Sequence, residues 1–111
     1  MVSHAHKQVR FAVLGPLEVS AGNVRLRLGG PVPVRILTAL LLDPGRVVPI
    51  SRLVEAAWDE DPPATAAHQV RKAIADLRQR ILHGPDVIIT DGPGYRIDVG
   101  PDQLDVSRFT L

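Results

Sequence analysis

The chain contains no cysteine and only four aromatic residues, Phe11, Trp58, Tyr95 and Phe109. The first absence excludes a disulfide framework, a thiolate zinc site and a cysteine nucleophile together. No apolar run approaches the roughly 20 residues that a membrane span requires. The polar start, Met1 to Val9, bears His4 and His6 and has none of the apolar stretch of a signal peptide. These features predict a cytoplasmic protein with no membrane partner. A His-x-His pair in a tail without further ligands is no metal site, and no metal or cofactor is expected. What is present is ordinary for a globular domain: 111 residues, 45% hydrophobic and 23% charged, enough for one core that buries roughly two-thirds of the extended surface.

The net charge of +1 conceals an uneven distribution. Residues 1–50 carry six Lys/Arg against two acids, and residues 51–63 one Arg against four acids. Residues 64–82 hold Arg71, Lys72, Arg78 and Arg80 against Asp76, and the remainder two Arg against five Asp. A basic segment between acidic ones is a local electrostatic footprint of the kind nucleic acids recognise, although a charged helical face is ordinarily a solvated one.

Three short runs, Val9–Leu14, Leu17–Ser20 and Val24–Leu28, are separated by turn residues and predict an antiparallel meander that ends at Gly29-Gly30-Pro31. A first helix over Pro33–Leu42 presents Ile36, Leu37, Leu40 and Leu41 on one stripe and stops at Asp43-Pro44-Gly45. Arg46-Val47-Val48 fits only an edge strand. A second helix, Ser51–Trp58, is capped by Ser51. A third, Pro63–Leu82, is capped by Asp61, with the prolines in its first turn. Ala67, Val70, Ile74, Leu77 and Ile81 fall on one face of it and predict core. Thr65, His68, Lys72, Ala75 and Gln79 lie opposite, with Arg71 and Arg78 on one shoulder. Val87–Thr90 and Tyr95–Asp98 then flank Asp91-Gly92-Pro93-Gly94. There Pro93-Gly94 predicts a type II turn with the positive φ at Gly94. Tyr95 and Trp58 are expected to pack in the core. This order predicts an α+β winged helix-turn-helix, with an N-terminal antiparallel β-sheet, three helices and a C-terminal β-hairpin wing. Residues 1–8 are expected to be a flexible tail, 9–99 the domain, and 100–111 a linker into a following segment.

No catalytic residues emerge. The serines fall in a tail, a turn, a cap and the final segment, and Gly29-Gly30 is not followed by the Lys-Ser of a phosphate loop. The chain does not read as an enzyme.

Several stretches together resemble one family. They are Phe11-Ala-Val-Leu-Gly-Pro-Leu-Glu-Val19, Gly29-Gly-Pro31, Leu40-Leu-Leu42, Gly45-Arg-Val-Val48, Arg52-Leu53 with Trp58, Asp61-Pro-Pro-Ala-Thr65, Leu77-Arg78 and Asp91-Gly-Pro-Gly-Tyr-Arg96. In this order and spacing they are similar to the OmpR-type winged-helix domain at the N-terminus of the Streptomyces antibiotic regulatory proteins, transcriptional activators of actinobacteria. Leu104-Asp-Val-Ser-Arg-Phe109 resembles the opening of the helical activation domain that usually follows. The chain departs from the family at Val32-Pro33-Val34, where a polar helix start is usual and Arg35 substitutes. It departs again at Pro49 in place of a capping Ser, and at Lys72 and Asp76.

The resemblance implies sequence-specific binding to double-stranded promoter DNA, with side-by-side protomers on direct repeats that help RNA polymerase engage, for an antibiotic or secondary-metabolite gene cluster. It places the third helix in the major groove. There Arg71 and Lys72 pair with guanine and His68 donates to phosphate or a base acceptor, with Ala75 on the same stripe. Thr65 offers its hydroxyl or backbone N–H to a phosphate. Arg78 and Gln79, further along, meet phosphate or solvent. Arg96 anchors the wing on the backbone or in the minor groove. The acidic loop Asp59, Glu60, Asp61 is the polymerase-contact candidate. The alternative is a winged-helix protein-interaction module without DNA binding; the basic helix beside a Gly-Tyr-Arg wing favours DNA.

Overall fold

Short apolar residues at alternate positions pair across the first sheet. In the computed structural model, which describes residues 9–12, 18–21, 24–81 and 84–100, β1 (Val9–Ala12), β2 (Glu18–Ala21) and β3 (Val24–Leu26) form an antiparallel meander. Phe11 stands opposite Val19, and Val19 opposite Leu26. Phe11 and Val19 are buried, and with Leu28 they join the single apolar core. The tail with His4 and His6 and the segment from Pro101 to Leu111 lie outside the described residues.

Helix α1 spans Pro31–Leu41, starting two residues and ending one residue earlier than expected. Gly30 precedes it at φ 143, and Pro31 and Pro33 fall in the first turn, where their missing N–H groups break no helical hydrogen bond. Ile36, Leu37, Leu40 and Leu41 are buried as the stripe requires. The turn that follows is tied down by the Gly45 N–H, which donates to the Ile97 carbonyl at 3.0 Å. Strand β4 (Val48–Pro49) runs directly into α2 (Ile50–Ala57). Ser51 is therefore inside the helix and not its cap. Pairing with the wing holds Pro49 extended, and the Ile50 N–H donates to the Pro93 carbonyl at 3.3 Å.

Helix α3 (Ala66–Arg80) starts three residues later than expected, and Asp61 does not cap it. A proline disfavours the helical conformation in the residue before it, so neither Asp61 nor Pro62 can enter the helix. Asp61 takes φ 53, and Thr65 occupies the N-cap position without a side-chain cap bond. A short helix α4 (Gly84–Val87), not foreseen, leads into the hairpin of β5 (Ile88–Asp91) and β6 (Gly94–Ile97). The second sheet has the order β4-β6-β5, so β4 is indeed an edge strand. Gly92, not Gly94, carries the positive φ, at 55. A positive φ followed by proline's fixed negative one is the sign pattern of a type II′ hairpin turn. Gly94 serves a different need, because a Cβ there would run into the Val48 carbonyl.

The core lies between α1, α2, α3 and the second sheet, with Leu53, Val70, Leu77, Ile88 and Ile97 fully enclosed. Tyr95 is buried, and Trp58 packs half-buried against the cluster. This is the expected α+β winged helix-turn-helix with its N-terminal sheet and C-terminal wing. Among the described residues no helix is long and apolar enough to cross a membrane.

Candidate nucleic-acid interface

Helix α3 has two opposed faces. Ala66, Val70, Ala73, Ile74 and Leu77 are buried on the side that packs on α1, α2 and α4, while Ala67 is only half-buried. Half a turn away Thr65, His68, Lys72, Ala75 and Gln79 are all exposed, a stripe about 21 Å long at the helical rise. Arg71 is exposed on one shoulder of it. The fold thus brings together six of the eight residues expected to meet DNA.

The cations on and around this surface divide into two groups. The side chains of Arg71 and Lys72 make no hydrogen bond or ion pair among the described residues; the same holds for the side chains of Arg52 on α2 and Arg27 before α1. These side chains are available to an external anion. Arg78 is engaged within the protein: its Nε donates to the Ile88 carbonyl and its terminal nitrogen to Thr90 Oγ1, each at 2.9 Å. Arg80 is paired with Asp76 at 2.7 Å and reaches the Arg27 carbonyl at 3.3 Å. Arg96 lies on the wing, its Nε 3.1 Å from Asp91 Oδ2. Strand alternation puts it on the hairpin face away from Tyr95 and Ile97, so it stands apart from the α3 stripe. Arg35 does not supply a polar start to α1, because its guanidinium donates to the Ala57 carbonyl at the end of α2.

Thr65 Oγ1 accepts a bond from Gln69 Nε2 at 2.9 Å. The Ala66 N–H donates to the Pro63 carbonyl at 2.9 Å, and the Thr65 side chain caps none of the N–H groups that follow, at a helix end of the kind that attracts anions. A shallow groove of about 490 Å³ runs between this turn and the start of α1, lined by Val32, Pro33, Thr65, His68, Lys72 and Asp76. Val32 and Pro33, where the family usually has a polar helix start, thus form the α1 side of this groove. Asp59, Glu60 and Asp61 are exposed in the loop between α2 and α3. Among the described residues no three His, Asp or Glu side chains converge as a metal site would need.

A helix-turn-helix with a cationic outer face, followed by a β-hairpin, defines a winged-helix domain of the DNA-binding type. Residues 28–97 match the family described as "Transcriptional regulatory protein, C terminal". The chain belongs to that family, in the OmpR-type form found in the Streptomyces antibiotic regulatory proteins. Across 106 residues it is 37% identical to transcriptional regulatory protein MoaR1 of Mycobacterium tuberculosis, covering 91% of this chain and 34% of that one. Across 99 residues it is 36% identical to regulatory protein AfsR of Streptomyces griseus, covering 89% of this chain and 10% of that one. The chain therefore spans about a third of one of these relatives and a tenth of the other. Among solved structures, Mycobacterium tuberculosis EmbR in complex with a low-affinity phosphopeptide superposes with a TM-score of 0.85. It is 27% identical, over 92% of this chain and 28% of that one. The DNA-binding domain of the response regulator AdeR, solved with an intercistronic region, shares the fold at a TM-score of 0.59. It is 21% identical, over 75% of this chain and 86% of that one. The family and these relatives are transcription regulators.

Proposed function

We propose that this chain is the sequence-specific DNA-binding head of a transcriptional activator acting in the cytoplasm, and that α3 is its reading element. The observation that carries the proposal is the pair of unpaired cations, Arg71 and Lys72, on a helix whose opposite face is fully engaged in the core. A major groove admits one α-helix, and Arg or Lys can there pair with guanine O6 and N7. Thr65, with the helix N-terminus, binds phosphate; His68, Ala75 and Gln79 complete the reading face, and Arg96 anchors the wing. In the proposed mechanism two protomers sit side by side on promoter direct repeats, and the Asp59–Asp61 loop meets RNA polymerase. The regulated genes would be an antibiotic or secondary-metabolite cluster. Residues 9–99 form the binding domain, with a following activation domain reached through residues 100–111.

Competition between promoter and random duplex for the wild-type chain and an Arg71→Ala/Lys72→Ala variant tests the reading face. Loss of promoter preference in the variant is expected; full retention would remove α3 from that role. For the loop, in-vitro transcription with Asp59, Glu60 and Asp61 neutralised should lose activation at full promoter occupancy, and unchanged activation would discard the polymerase contact.

A protein-interaction role would use a different surface. Leu42 is 67% exposed, and an apolar groove beside it runs along Val34, Thr38, Ala39 and Ala56. Binding insensitive to salt and to Arg71 would favour that role.

A further inference from the structure

The Arg78 side chain spans the gap between the reading helix and both strands of the wing. Its Nε donates to the Ile88 carbonyl on β5 and its terminal nitrogen to Thr90 Oγ1, both at 2.9 Å, while its guanidinium carbon lies 5.7 Å from the centre of the Tyr95 ring on β6. Among the described residues these are the only side-chain hydrogen bonds between α3 and the hairpin. Otherwise the two elements are joined through the shared apolar core, which resists separation but has little directional preference. The fork of Arg78 adds direction: two donors in one plane, stacked on a ring, fix both the height and the rotation of the hairpin relative to α3.

We infer that Arg78 is a positioning residue for DNA binding, a latch that holds the wing at the angle from which α3 and Arg96 reach one duplex together, and that it does not itself touch DNA. The inference rests on the DNA-binding reading above. It replaces the expectation that Arg78 meets phosphate: swinging the guanidinium out to a phosphate would break the bonds to the Ile88 carbonyl and Thr90 Oγ1, and breaking that latch would release the wing that a phosphate contact is meant to assist. Arg71, two helical turns earlier on the same shoulder, shows the contrast, since it carries the same charge and no partner. Lysine cannot replace Arg78, because one ammonium on a flexible stem cannot serve the Ile88 carbonyl and Thr90 Oγ1 while stacked on Tyr95.

The test measures promoter-duplex affinity of the full chain by fluorescence anisotropy for wild type, Arg78→Lys, Arg78→Ala, Thr90→Val, Arg96→Ala and the Arg78→Ala/Arg96→Ala double variant, each with its melting temperature. Arg78→Lys, which keeps the charge, should weaken binding about tenfold, as Arg78→Ala does, the loss expected for one charge-assisted contact at the wing. Thr90→Val, which changes no charge, should weaken it in the same direction by a smaller factor. Adding Arg96→Ala to Arg78→Ala should cost little more, because the wing is already disengaged. Where Arg78→Ala fails to fold, Arg78→Lys and Thr90→Val carry the test. Wild-type affinity in Arg78→Lys, no effect of Thr90→Val, or additivity in the double variant would each overturn the latch and make Arg78 a direct contact. Failure of the wild-type chain itself to bind promoter DNA would instead remove the DNA-binding reading.

Discussion

Replacing Gly94 by alanine should be the more damaging of two glycine substitutions in the wing, although Gly92 is the one with the unusual backbone. At the Pro49–Gly94 pairing a Cβ on Gly94 would overlap the Val48 carbonyl oxygen and stand 2.7 Å from Pro49 Cα. Restoring van der Waals contact requires β4 to retreat by about 1 Å, and β4 has only two residues with which to hold on. Overpacking of this kind costs about 1–3 kcal/mol, and the Ile50 N–H bond to Pro93, already 3.3 Å long, would be lost at about 1 kcal/mol more. A total of about 2–4 kcal/mol lowers the melting temperature of a domain this size by roughly 10 °C or more. At Gly92 a Cβ meets nothing within 4 Å, so Gly92→Ala costs only the left-handed backbone, about 1 kcal/mol. Urea unfolding followed by the fluorescence of Trp58, the single tryptophan, measures both. A Gly92→Ala variant less stable than Gly94→Ala would refute the reasoning and restore Gly94 as the turn glycine.

Leu77 is fully enclosed at the α3 contact with the core, so Leu77→Ala should lose about 3 kcal/mol in the same unfolding assay; a loss below about 1 kcal/mol would contradict that placement. Thr65 holds the N-cap position of α3 without a cap bond, so Thr65→Ala should change stability by less than about 0.5 kcal/mol where a working cap would cost about 1. Arg71→Ala and Lys72→Ala should each weaken promoter binding by about 1–3 kcal/mol and relax its sequence preference. Their unfolding midpoints should stay at the wild-type value, and a fall in stability would show that these side chains have partners inside the protein.

The elements legible in the sequence were those whose information is local. Val70, Ile74, Leu77 and Ile81 repeat at the helical period and are all buried, and their repeat alone predicts which side of α3 faces outward. Ala66 and Ala73 are buried as well but were missed, because alanine adds almost no amplitude to a hydropathy pattern. The start of α3 was misjudged because two rules compete at Pro62-Pro63. Proline suits a first helical turn, yet it also bars its predecessor from helix, which excludes Asp61 and Pro62, while Pro63 closes a turn by accepting the Ala66 N–H instead of opening the helix. Helix α4 has four residues, too few to show a period, and begins at a Gly-Pro pair that reads as a break.

The partners of the arginines were not legible at all. A helical wheel puts Arg71 and Arg78 on one shoulder as equals. What separates them is the return of the chain 10 and 12 residues later to offer Arg78 a carbonyl and a hydroxyl. Arg35 is a larger case of the same kind, its acceptor lying 22 residues away at Ala57. Sequence pattern thus located the surface of the candidate site, while tertiary structure decided which of its cations are free.

The central claim is that the free cations of α3 meet DNA. The most direct measurement is the affinity of the 111-residue chain for promoter and random duplexes across a salt series, read by fluorescence anisotropy. The account predicts binding that prefers the promoter and whose logarithm falls linearly with the logarithm of salt, with a slope that reflects several neutralised phosphates. No binding at low salt, or binding indifferent to salt, would contradict it.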